Sequence, residues 1–314
     1  MSTKFNQIIF VAALSLMVSQ VSAKNYQTLS ACEKQTFLWK KVVESENHEL
    51  PDFNNLGLMQ FLAMTFQELK TKTNLDSDIA PKGWKKYLHR RGVMAKVKIV
   101  AMEGSPFTGV FEGADCALLR LSLTYNPKGS KGVAPGLALK VLRDSTSSAN
   151  VSALYSLEGQ GKDYNFLKHS LSNIVPIGNS IGTKLIHRLF KRVTDYPEEL
   201  KLADMAKIDS KGKSEKSIKH PTQIFFVPNK ELSFASTEHD IRRDLISVTP
   251  GTTLYTIHAL KNTKPGFDYS SYQESDIPKL IAQSEPIAQI VTTSKFLSSE
   301  FGDEGIFFRH EVRD

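Results

Sequence analysis

The chain has 314 residues, 40 Lys and Arg against 33 Asp and Glu, a net charge of +7 and two cysteines. Its hydrophobic content of 40% is enough for a packed core, and one β-barrel domain can run well past the usual length of about 150 residues. The positive excess is mild and scattered, with no basic run interleaved with aromatics, so it argues for general solubility and against nucleic-acid binding.

The start of the chain reads as an export signal. Lys4 supplies a positive first segment, residues 8–18 are nearly all apolar, and Val21-Ser22-Ala23 places small residues at a cleavage position. The apolar run is shorter than the roughly 20 residues needed to span a bilayer. Cleavage after Ala23 predicts a secreted or periplasmic protein beginning at Lys24. It removes one lysine and no acid, so the net charge falls from +7 to +6.

Residues 24–88 read as helices and an arm. Ser30 and Glu33 form a capping box that opens a helix over 30–45, each satisfying an amide donor that the helix leaves free. Leu58, Phe61, Leu62, Thr65, Phe66 and Leu69 fall on one stripe of a second helix. Residues 71–88 form an arm rich in Lys and Asp. Cys32 lies in the first helix and Cys116 in an expected core strand. An oxidising compartment permits a disulfide, but these placements favour two separate buried thiols.

From residue 89 onward the pattern changes to strands. In 93–100 the residues Val93, Ala95, Val97 and Ile99 alternate with Met94, Lys96 and Lys98, which predicts a half-buried antiparallel strand. Residues 117–123 form an apolar run carrying Arg120 and Ser122, and 135–144 read PGLALKVLRD. A buried arginine is rare unless its charge is paired, so Arg120 is expected to have an anionic neighbour. After a turn at 145–150, a strand is expected around 151–157 and a helix over 163–172. Residues 181–193 form a basic amphipathic helix. Its charged side is assigned to solvent, with peripheral membrane contact as the alternative. Strands are expected at 222–227, 245–248 and 252–260, with a turn at Pro250-Gly251, and at 287–293 after a break at Pro286.

The central motifs resemble those of the heme catalases and their short catalase-like relatives. His89 and Gly92 fit an H-x-x-G context at the start of the first barrel strand. Arg120-Leu121-Ser122 fits an R-F-S segment, and Pro135-Gly136-Leu137-Ala138-Leu139-Lys140 fits the strand that follows. The similarity runs from His89 to about His310, thinly between Leu167 and Gln223. It implies an α+β protein built on a catalase-like antiparallel β-barrel over 89–314, with N-terminal and flanking helices. By the same resemblance, His89 is a peroxide-handling base and Ser122 its hydrogen-bond partner. Asn150 stands near the family's distal asparagine if the turn is shifted, and Arg120 is a heme contact. The implied activity is heme-dependent chemistry on hydrogen peroxide or a lipid hydroperoxide. The alternative is a catalytically degenerate barrel that binds an apolar ligand or a partner.

The proximal side of such a site is not found in the pattern. The family places an R-x-x-x-Y helix after the barrel. Here Arg192 and Tyr196 have that spacing but stand in mid-chain, while Tyr255, Tyr269 and Tyr272 have no Arg four residues before them.

Overall fold

The computed structural model describes residues 26, 28–45, 78–79, 91–104, 111, 115–123, 135–144, 148–153, 155–156, 166–167, 169–172, 224–232, 245, 247–260, 277–299, 305–306 and 308. The expected leader, the 58–69 stripe, His89 and the expected basic helix at 181–193 lie outside them.

The architecture is α+β, dominated by one antiparallel sheet curled into a half-barrel. Its strands are β1 (Arg91–Ala101), β2 (Ala117–Leu123), β3 (Pro135–Val141), β4 (Ala149–Ala153), β5 (Tyr155–Ser156), β6 (Leu171–Ser172), β7 (Ile224–Pro228), β8 (Thr253–Leu260), β9 (Ser284–Thr292) and β10 (Leu297–Ser298). The order is β4-β3-β2-β1-β9-β8-β7-β6-β5, with β10 paired to β1 beside it. The two ends of that path, β4 and β5, are separated in the chain by Leu154 alone. Ala153 and Tyr155 therefore stand within about 7 Å of each other, which requires the sheet to curl back toward itself.

Alternation along the strands divides the side chains between two layers. Val93, Ala95, Val97, Ile99, Ala117, Leu119, Leu121, Leu137, Leu139 and Val141 fill the concave side together with Phe226, Tyr255, Ile257 and Ile290. Met94, Leu118, Cys116 and Leu142 face outward and meet Tyr26, Ala31, Leu38 and Val42. The last three belong to helix α1 (Ala31–Ser45), which packs against β1, β2 and β10. β1 is thus buried on both faces over its first half and not half-buried throughout. Met94 is covered by α1, whereas Lys98 and Val100 beyond the helix are exposed.

The capping box forms as read. Ser30 N donates to Glu33 Oε2 at 2.8 Å, and Glu33 N donates to Ser30 Oγ at 3.4 Å. Asp144 also accepts from Ala31 N at 2.6 Å, tying the helix start to the end of β3. Gln35 Nε2 donates to Val97 O at 2.9 Å and to Ala117 O at 2.6 Å. Those carbonyls lie where β1 leaves β2 and takes up β9, since Val97 pairs with both Ala117 and Thr292.

Four expectations are corrected. Cys32 and Cys116 are joined by a disulfide and are not separate thiols, because α1 docks its first turn directly over the start of β2. Leu245, Ser247 and Val248 are not in a strand, and Val248 N donates to Leu245 O at 3.1 Å, so local β propensity there yields to the approach to the Pro250-Gly251 turn. The end of the expected helix at 163–172 is strand β6, paired with both β5 and β7. Pro286 does not break a strand but sits inside β9. It is opposite His258, where a register irregularity between Ile257 and His258 relieves the ladder of its missing donor. Gly251 adopts φ 93°, the left-handed turn geometry expected of Pro-Gly. A short helix, α2 (Ile277–Gln283), leads into β9.

Candidate functional site

The residues singled out by resemblance fall on the outer face of the sheet. Arg120 and Ser122 have the same parity as Leu118, so they point away from the apolar concave core and toward the helix layer. The register places Gly92 opposite Ser122 and Ser122 opposite Gly136. Ser299 N donates to Gly92 O at 3.1 Å, extending the row to Ser299-Gly92-Ser122-Gly136. Ser122 Oγ donates to Gly136 O at 3.4 Å. One row along are Leu297, Met94, Arg120 and Ala138.

Two glycines in one row leave room, and Arg120 takes it. A Cβ on Gly92 would lie 3.0 Å from both Arg120 Cζ and a guanidinium nitrogen. Arg120 is 2% exposed, Ser122 3% and Ser299 0%. Asn150 is not brought to this row. It pairs with Lys140, which pairs with Leu118, four residues along the strand from Ser122. The backbone rise makes that about 13 Å. His89, the expected base, lies outside the described residues, so its relation to Ser122 rests on sequence alone.

A second polar cluster on the same outer face was not anticipated. Lys140 Nζ lies 2.9 Å from Asp78 Oδ1 and donates to Ser148 Oγ at 2.8 Å. Ser148 Oγ also donates to Asp78 Oδ1. Tyr26 OH donates to Asp78 Oδ2 at 3.1 Å, and the Lys140 ammonium sits 5.5 Å from the centre of the Phe308 ring. Lys34 Nζ donates to Arg143 O at 2.8 Å and lies 5.7 Å from the Tyr26 ring centre. All of Tyr26, Lys34, Asp78, Lys140 and Ser148 are buried. Alternation in β3 marked Lys140 as outward-facing. Nothing local marked Asp78 as its partner 62 residues away.

Burial raises the Asp78 carboxyl, but Lys140, Ser148 and Tyr26 outweigh it and hold the group below its ordinary value. Burial first, then the Asp78 carboxylate, pushes the Tyr26 phenol far above its usual range. Burial lowers the Lys34 ammonium, opposed by Asp78 and Asp144. A serine beside a lysine suggests a nucleophile, yet such chemistry needs a neutral amine. The Lys140 Nζ is paired with the Asp78 carboxylate and is not free beside Ser148, so this group reads as an ion-paired clasp between the N-terminal segment and the sheet.

A heme of the kind the resemblance implies is held by a tyrosinate, and the described residues do not fit it. Tyr26 is locked as a phenol by burial and by Asp78, and Tyr255 OH donates to Phe166 O at 2.7 Å inside the concave core. Arg120 is sealed against Gly92 and presents no surface to a propionate. Among the described residues no group of three or more His, Cys, Asp or Glu is arranged to hold a metal ion, and no helix is long and apolar enough to cross a membrane. Compared with known protein families, characterised proteins and solved structures, the chain matches none.

Proposed function

We propose that this protein is an exported, catalase-related scaffold whose half-barrel binds an apolar ligand or a protein partner without heme turnover. The observation that carries this reading is the seat of Arg120. The residue that would greet a heme is instead buried on Gly92, on the face that α1 covers. The Cys32–Cys116 disulfide supports export, since such bonds persist in oxidising compartments.

A second reading, a heme-dependent enzyme acting on hydrogen peroxide or a lipid hydroperoxide, is favoured by one feature. Ser122 lies opposite Gly92, three residues after His89 in the chain, as the resemblance requires of a base and its partner. Titration of the mature protein with hemin separates the two. The scaffold reading expects no stoichiometric Soret band and no peroxide consumption above free hemin. Stoichiometric uptake with turnover that His89→Ala abolishes would establish the enzyme reading instead.

A further inference from the structure

The second half of β1 carries a short cationic row on its outer side. Lys96 pairs with Leu118, an outward-facing residue, so strand alternation sends Lys96, Lys98 and Val100 to the outer face together. Lys98 is exposed, Lys96 is half-buried, and Val100 is 41% exposed. Side chains on one face of a strand repeat about every 7 Å, so the row from Lys96 to Val100 is about 13 Å long.

Among the described residues the row has no acid to answer it. Lys98 stands opposite Val291, and Val100 stands opposite Gln289, which faces Thr256 across β8. Thr293 N donates to Lys96 O at 2.8 Å, which sets a threonine beside the first lysine. These neighbours are all neutral. Lys40 and Lys140 are ion-paired with Glu44 and Asp78, whereas among the described residues Lys96 and Lys98 enter no ion pair. Lys295, exposed in the turn after β9, is a third cation without an ion pair. Lysines held about 7 Å apart repel each other, and an anion set against both relieves that repulsion.

Charge and shape together select the occupant. A second copy of this chain would bring lysines against lysines at this face. The sheet is curled across its strands, so a flat membrane meets its convex side along a narrow line. An extended chain laid along β1 follows that line, and its alternate side chains point the same way at the same spacing of about 7 Å. We propose that the row Lys96-Lys98-Val100 docks an extended acidic segment of a partner protein. Two carboxylates two residues apart meet the two lysines, and an apolar residue two further on meets Val100. The inference supplies the partner surface for the scaffold reading above, and it rests on the partner-binding arm of that reading.

Fluorescence polarisation of the full mature protein tests it with a labelled peptide that alternates Asp and Val. A second peptide has the same composition with its Asp residues in one block. The alternating peptide should bind more tightly than the block peptide, and added salt should weaken it. Lys96→Gln/Lys98→Gln should weaken its binding about tenfold. Lys40→Gln/Lys279→Gln removes the same charge from exposed sites on the two helices and should leave binding unchanged. Equal affinity for the two peptides would overturn the proposal. So would an equal loss in the two double variants, which marks the net charge of the chain as the cause. Sedimentation with phosphatidylglycerol vesicles that needs Lys96 and Lys98, without peptide binding, would replace the partner with a lipid surface. A hemin titration of the same samples keeps the two readings apart: no peptide binding together with no Soret band rejects the docking row alone.

Discussion

The guanidinium of Arg120 occupies the space that a side chain at Gly92 would fill, diagonally across the β1–β2 ladder. A Cβ at position 92 would stand 2.7 Å from the Leu121 carbonyl oxygen as well as 3.0 Å from Arg120 Cζ. The glycine is required by its neighbours, because three atoms on β2, one of them backbone, crowd any larger residue.

Gly92→Ala should therefore destabilise the fold by about 1–3 kcal/mol, the usual cost of overpacking a core. Adding Arg120→Ala should recover only part of the loss, since the Leu121 carbonyl remains in place. Urea midpoints of the single and double variants check this, with full recovery contradicting the backbone part of the clash.

Asp78 and Lys140 form a buried pair, so removing one partner leaves an uncompensated charge. Asp78→Asn should cost about 3–5 kcal/mol at pH 7. The folded-state carboxyl is held below its ordinary value, so its contribution is complete above the unfolded pKa of about 3.9 and is lost as pH falls through the lower folded value. The stability gap between wild type and Asp78→Asn should stay constant from pH 7 to about 5 and narrow below about 4. A gap that narrows between pH 7 and 5 would mean that another group titrates.

Gln35 bridges the β1–β2 fork through one amide nitrogen. Gln35→Leu keeps the volume but leaves the Val97 and Ala117 carbonyls without that donor, at about 1–3 kcal/mol. Chemical unfolding reads the loss, and faster amide exchange in α1 than in β8 would place it at the fork.

The disulfide closes a loop with a sequence separation of 84. The chain-entropy account gives it about 4.6 kcal/mol. Unfolding in urea with and without a reductant measures the difference. A loss much smaller than this would show that the reduced chain retains structure around α1.

Local chemistry determined the parts of this fold that are local. The Ser30–Glu33 box started α1 where it was read, because a capping box satisfies its donors within four residues. The alternation of Val93, Ala95, Val97 and Ile99 selected the concave side, and Pro250-Gly251 set its turn, since period and turn geometry are written in adjacent residues. What the tertiary structure alone decided involves long separations. Asp78 meets Lys140 62 residues away and Cys32 meets Cys116 84 residues away, and no periodicity specifies such pairs. Met94 was read as solvent-facing because its strand alternates, yet α1 covers it. Arg120 was read as needing an anionic neighbour because it sits in an apolar run, and as a heme contact by resemblance alone. Only the tertiary structure showed that its guanidinium packs against Gly92, a residue whose significance lies in the side chain it lacks.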